Sequence, residues 1–336
     1  MFSIPEPVAE CLATLRRGGF AAYPVGGCVR DLLLGRDPGD WDIATAAPPE
    51  AVMALFEKTV PTGLKHGTVT VLLGGESMEV TTFRADVGYS DGRHPDAVVF
   101  GQSLEADLAR RDFTVNAMAL GADGEIIDPF GGRDDLAQKR VRAVGDPTVR
   151  FTEDALRMFR AVRFAAQLSF EIEEGTLAAL AALAGNARHV SGERIKVEVE
   201  KTLLSPMPHL AALFLSTGLL TASGGPTWTP ERLYAAFADV PSEPGPRWRA
   251  FCLATGFDIT SLPTERRLRA AVLHPEREAV RALALQAPDL MALGFEGPAL
   301  GRAQLALAQH ILEHPETNNK EALATVVRDL QLRGQL

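Results

Sequence analysis

Strand-like patterning stops near residue 128. Before that point, short apolar runs bounded by glycine turns alternate with helical patterns. After it, apolar residues recur at three- and four-residue spacing with little interruption. A chain written this way is expected to fold as a small mixed α/β unit followed by helices alone. In the first part, residues 5–18 are predicted to be helical, residues 21–25 to form a strand running into Gly26-Gly27, and residues 29–34 to form the next helix. Residues 41–45 follow the turn formers Asp37-Pro38-Gly39 and read as a strand, residues 48–56 as a helix, and residues 68–73 and 77–83 as a hairpin about Gly74-Gly75. In the second part, residues 156–168, 195–204 and 208–220 read as amphipathic helices, with linkers at residues 223–226 and 242–246.

At 336 residues the chain has room for two or three domains. It carries no apolar run near the roughly 20 residues of a membrane span. Its start lacks the basic, apolar and small-residue sequence of a signal peptide, so a cytoplasmic location is expected and a membrane role is not. Cys11, Cys28 and Cys252 show no zinc or disulfide spacing. The net charge of -9 disfavours a protein that coats nucleic acid non-specifically. Residues 139–163 nevertheless hold seven basic side chains against three acidic ones, a basic track that a solvated helix face would also produce.

The chemistry concentrates in Gly26-Gly27-Cys28-Val29-Arg30-Asp31 and, nine residues further on, Asp40-Trp41-Asp42. Carboxylates at i and i+2 of a strand point to one side, where both can grip a hard cation. A glycine turn opening a helix offers backbone amides to a phosphate, and Arg30 adds charge. Together these are parts for in-line phosphoryl transfer with two metals. Glu79, on the predicted strand 77–83, is a candidate third carboxylate able to activate an attacking hydroxyl, or else a solvated strand residue.

These residues resemble the first motif of the class II tRNA nucleotidyltransferase and bacterial poly(A) polymerase family. The likeness continues in order through Arg110-Arg111-Asp112-Phe113-Thr114-Val115-Asn116-Ala117, Asp128-Pro129-Phe130-Gly131-Gly132, Glu153-Asp154-Ala155-Leu156-Arg157, and Ser191-Gly192-Glu193-Arg194 with Glu198. A weaker likeness at residues 297–302 and 318–323 extends it to the tail, while residues 205–295 carry no such motif. The resemblance implies an α+β nucleotidyltransferase head followed by an all-α neck, body and tail, which are expected at 1–127, 128–205 and 206–336. It implies Mg²⁺ held by Asp40 and Asp42, and Arg111, Asp112 and Asn116 at the ribose or triphosphate. A carboxylate such as Asp112 can accept from a 2'-hydroxyl. Gly26, Gly27, Arg30, Arg160 and Arg163 complete the expected nucleotide-binding set.

The activity so implied is CCA addition to tRNA from CTP and ATP, with no protein partner evident. The rivals are an enzyme adding only the final A, a poly(A) polymerase, and a non-catalytic RNA-binding protein. The Ala-Leu pair before Arg157 favours tRNA over poly(A) synthesis, and the intact acidic set disfavours a dead enzyme. A loop between residues 83 and 113 with Arg93-His94-Pro95 matches the family's C-to-A switching loop. Asp154 and Arg157, three residues apart, are expected to project from one helix face as an acceptor and donor aimed at one base edge, or else to brace that helix.

Overall fold

The computed structural model describes residues 2–87, 97–101, 103–222 and 229–336. The chain divides into two compact units, Met1–Thr221 and Ala222–Leu336. The boundaries expected after 127 and 205 both fall inside the first.

The first unit opens with α1 (Glu6–Arg17), whose Val8, Cys11, Leu12 and Leu15 form one buried stripe at helical spacing. A five-stranded sheet follows, built from β1 (Ala22–Pro24), β2 (Trp41–Thr45), β3 (Thr59–Gly63), β4 (Thr68–Leu73) and β5 (Glu76–Thr82) in the order β1-β2-β5-β4-β3. Only β2 and β5 run parallel; the other neighbours are antiparallel. Helices α2 (Gly27–Leu33) and α3 (Pro49–Leu55) are inserted before and after β2. Edge strand β3 was not expected from the sequence. It carries Pro61 and an exposed Val60, features that an edge tolerates and that hide the strand period. The hairpin β6 (Arg84–Val87) and β7 (Ala97–Phe100) then leads to α4 (Leu104–Ala109).

Helices dominate from there on. They are α5 (Gly132–Ala137), α6 (Pro147–Glu153), α7 (Leu156–Leu168), α8 (Glu174–Leu183), α9 (Gly192–Leu203) and α10 (Ala212–Ser216), with three two-residue strand pieces from residue 119 to 141 and a fourth at Glu171–Ile172. The expected helix 156–168 forms over that span and is buried nearly all round, with Phe159 against Phe214 at 5.6 Å. The expected helix 208–220 does not form as one piece. Pro208 starts a 3-10 turn to Ala211, and α10 stops before the left-handed Gly218.

The second unit is helical from Pro230–Ala236 to Lys320–Leu332 among the described residues. The linker expected at 242–246 is entered by the helix Pro244–Thr255, because proline needs no amide partner in a first turn; residues 223–226 lie outside the described residues. Leu290, Phe295, Leu307, Leu323 and Val327 share one core. Asn318 pins the chain around 282–284, accepting from the Ala284 N–H at 2.8 Å and donating to the Ala282 carbonyl at 2.9 Å. No described helix is long and apolar enough to cross a membrane.

Candidate active site

Asp42 is the second residue of β2, and Asp40 stands in the bend just before it, so the pair straddles the strand's start. The parallel register sets Asp42 opposite Glu79 of β5, and residues opposite each other share a sheet face. Asp42 is half-buried while Asp40 and Glu79 are exposed. Burial pushes the Asp42 carboxyl above the usual range; the Arg111 guanidinium opposes this, and the charges of Glu79 and Asp40 add to it. The result is a knot of negative potential that a cation would relieve.

Asp40 and Asp42 line a cleft of about 740 Å³ that also gathers Gly26, Gly27, Arg30, Arg111, Asp112, Asn116, Asp154, Arg157, Arg160 and Arg163. Of the residues expected at the site, only Glu79 is not part of its lining. The glycine turn forms one wall. Gly26 adopts φ 78°, ψ -128°, and its N–H donates to the Met118 carbonyl at 3.1 Å, so any amides the turn offers to a ligand begin at Gly27. A Cβ on Gly26 would lie 2.6 Å from the Arg111 guanidinium. Gly26→Ala is therefore expected to lower the melting temperature and to cut nucleotide affinity by about tenfold or more, since it strains the backbone and displaces Arg111 together. A melting scan and nucleotide titration of the purified variant check this.

Behind that wall runs a continuous polar chain. Arg30 donates to both Asp31 oxygens at 2.9 and 3.0 Å and to Asn116 Oδ1 at 2.7 Å. Asn116 donates to Asp112 Oδ1 at 3.3 Å, and Arg160 Nε to Asp112 Oδ2 at 2.7 Å. Burial acts to raise the Asp112 carboxyl, but the Arg160 guanidinium, with Arg157 and the Asn116 amide, holds it below the usual range. Asp112 thus stays an ionised acceptor inside the protein. Arg110 and Arg111 pair with the fully buried Asp107 at 2.7 and 3.2 Å, so they are internal cations turned to the cleft rather than surface ion pairs.

The shared helix expected for Asp154 and Arg157 is not there. Helix α6 ends at Glu153, α7 starts at Leu156, and Asp154 is extended at φ -142°, ψ 106°. Its carboxylate accepts the Leu156 N–H at 3.0 Å, the local bond that makes aspartate favour a helix start over a helix interior. Both side chains still reach one cleft. Arg157 is fixed by Glu153 at 2.7 Å and the Arg110 carbonyl at 2.8 Å.

The sequence reading left several contributors outside the site. Arg194 of α9 donates to Asp154 at 3.2 Å, and one turn on, Glu198 lies 3.0 Å from Arg163 without the alignment of a hydrogen bond. Their i, i+4 spacing was the available signal. Cys28 also lines the cleft, but burial pushes its thiol up to about 11 and keeps it unreactive. The loop with Arg93-His94-Pro95 lies outside the described residues.

The profile of the Poly A polymerase head domain matches residues 22–142, and that of the probable RNA- and SrmB-binding site of polymerase A matches residues 169–222. A CCA-adding enzyme of Leuconostoc citreum is 54% identical over 203 residues, 60% of this chain and 50% of its own length. One from Geobacillus thermodenitrificans is 51% identical over 221 residues, 63% of this chain and 55% of its own. The chain thus spans about half the length of the curated relatives it matches. The Bacillus stearothermophilus CCA-adding enzyme crystallised in complex with CTP is similar over 98% of both chains, with a TM-score of 0.66 and 33% identity.

Proposed function

Because the chain belongs to the tRNA nucleotidyltransferase and poly(A) polymerase family, we propose that it builds or completes the CCA end of tRNA from CTP and ATP without a nucleic-acid template. The observation that carries this is one cleft with carboxylates at Asp40 and Asp42, arginines between, and the polar pair Asp154 and Arg157 facing the same space. Charge for a triphosphate and fixed donors and acceptors for a base edge are then supplied by protein alone.

Asp40 and Asp42 fit a divalent cation, in our reading Mg²⁺. Their donors are hard oxygens, the Asp42 carboxylate is destabilised by burial and by the charges of Glu79 and Asp40, and among the described residues no third ligand closes the set. Mg²⁺ commonly keeps waters and takes one or two carboxylates together with substrate phosphates. When bound there it would neutralise charge at the reacting phosphate and make the primer hydroxyl more acidic. Arg30, Arg111 and the amides from Gly27 onward hold the triphosphate. Asp112 accepts from the ribose 2'-hydroxyl, with Asn116 and Arg160 keeping its carboxylate turned and ionised. Glu79, beside Asp42, takes the proton of the attacking hydroxyl.

In this reading residues 1–127 are the catalytic head, 128–205 the nucleotide-selecting neck, and 206–336 the body and tail that bind tRNA. The cytoplasm is the proposed location, in keeping with three unpaired cysteines. The test offers the protein tRNAs ending before the first C, after CC and after CCA, with each labelled nucleotide separately. C enters the first and A the second on this account, and nothing enters the third. Addition of A alone would make it an A-adding enzyme, and continued A addition to the third a poly(A) polymerase.

A further inference from the structure

Three of the cleft's arginines surround one aromatic ring. The guanidinium carbons of Arg163, Arg160 and Arg30 lie 4.3, 5.2 and 5.5 Å from the centre of Phe164. A chain of this length is expected to hold only a handful of significant cation–π contacts. Three of the four found among the described residues fall on this ring. Phe164 is itself fixed, meeting Phe113 edge-on at 5.8 Å and 77°, and Phe113 is the residue after Asp112. It also lines the cleft, and a smaller adjoining cavity beside Arg30 and Asp31.

Like charges this close repel. Burial depresses the Arg163 guanidinium, and the charges of Arg160 and Arg30 depress it further against the pull of Glu198. Each arginine has an acid of its own to fall back on: Asp31 for Arg30, Asp112 for Arg160, Glu198 for Arg163. The negative faces of the ring, which all three guanidinium groups approach, offset part of the repulsion that remains. We infer that Phe164 is a positioning residue for the nucleotide: it fans Arg30, Arg160 and Arg163 apart so that they meet the triphosphate and ribose in register. This rests on the reading of the cleft as a nucleotide site, and it goes beyond that reading in giving an apolar side chain a part in substrate affinity.

Phe164→Leu keeps an apolar side chain and removes the ring. CTP and ATP binding to the full chain, measured calorimetrically without tRNA, is expected to weaken alike by about tenfold, with KM rising in step and kcat changing by less than about twofold. Phe164→Tyr restores the ring and is expected to recover most of the affinity. Phe159→Leu, which trims a core ring packed on Phe214 that takes part in none of the cation–π contacts found among the described residues, should lower the melting temperature with no change in nucleotide affinity. Wild-type affinity in a folded Phe164→Leu overturns the inference, as does equal loss in Phe159→Leu. Should Phe164→Leu not fold, Phe164→Met is read in its place, and failure of both to fold makes the ring a core residue only and overturns it too. If the wild-type chain binds neither nucleotide, the cleft reading fails, which is a distinct result.

Discussion

Asp42→Ala is expected to lower nucleotide incorporation by more than about a thousandfold while leaving the protein folded and no less stable than the wild type. The two halves of that expectation have one cause. Asp42 sits half-buried beside Glu79 and next but one to Asp40, and its carboxyl is raised by burial and by those charges. A carboxyl raised in the folded state opposes folding at pH values above its folded pKa, and the penalty disappears as the pH falls below the unfolded value. At neutral pH the substitution removes that penalty, so the melting temperature of the metal-free protein should stay level or rise. Added Mg²⁺ should raise the melting temperature of the wild type and not that of Asp42→Ala. Asp40→Ala should lose activity similarly. Retention of a tenth or more of the wild-type rate by either variant at saturating Mg²⁺ removes the assignment.

The second large effect concerns which base is accepted. Cytosine and adenine both present an exocyclic amine beside an unprotonated ring nitrogen, so Asp154 can accept from the amine and Arg157 donate to the nitrogen. Uracil and guanine reverse both groups. They would leave two polar groups mispaired at about 1 to 3 kcal/mol each, enough for roughly a hundredfold discrimination. Asp154→Asn is the informative change. Its amide oxygen can keep the bond to the Leu156 N–H that starts α7, while its NH₂ can donate to a carbonyl. The preference for CTP over UTP should fall by about tenfold or more with the fold retained. Arg157→Ala should lose the same discrimination and also stability, since it breaks the bonds to Glu153 and the Arg110 carbonyl. Unchanged CTP-to-UTP ratios in both variants would leave these residues as braces of the α6–α7 turn.

The parts of the fold that period and turn chemistry dictate were legible. The glycine turn at Gly26, the strand Trp41–Thr45 and the helix Leu156–Leu168 form where the sequence placed them. Edge strand β3 was not, because an exposed, proline-bearing strand shows no alternation. At the site, motif residues were legible as a set and their connections were not. The sequence could not show that Glu79 pairs opposite Asp42, since that depends on the parallel pairing of β2 with β5, which have two other strands, β3 and β4, between them in the chain. Asp154 was read as helical because it lies three residues before Arg157, whereas its extended backbone ends one helix and its side chain accepts at the start of the next. Arg194 left its spacing to Glu198 as a signal, but its partner Asp154 lies far away in sequence, and the arginines gathered around the Phe164 ring leave no local pattern.

The central claim is that protein groups in one cleft dictate both the nucleotide and its order. The most direct measurement is to incubate the chain with a tRNA transcript ending at the position before the first C, all four nucleoside triphosphates and Mg²⁺, and to sequence the 3' ends produced. The account predicts C, C and A in that order and then no further addition. Ends carrying U or G, runs of A, or an unextended transcript would contradict it.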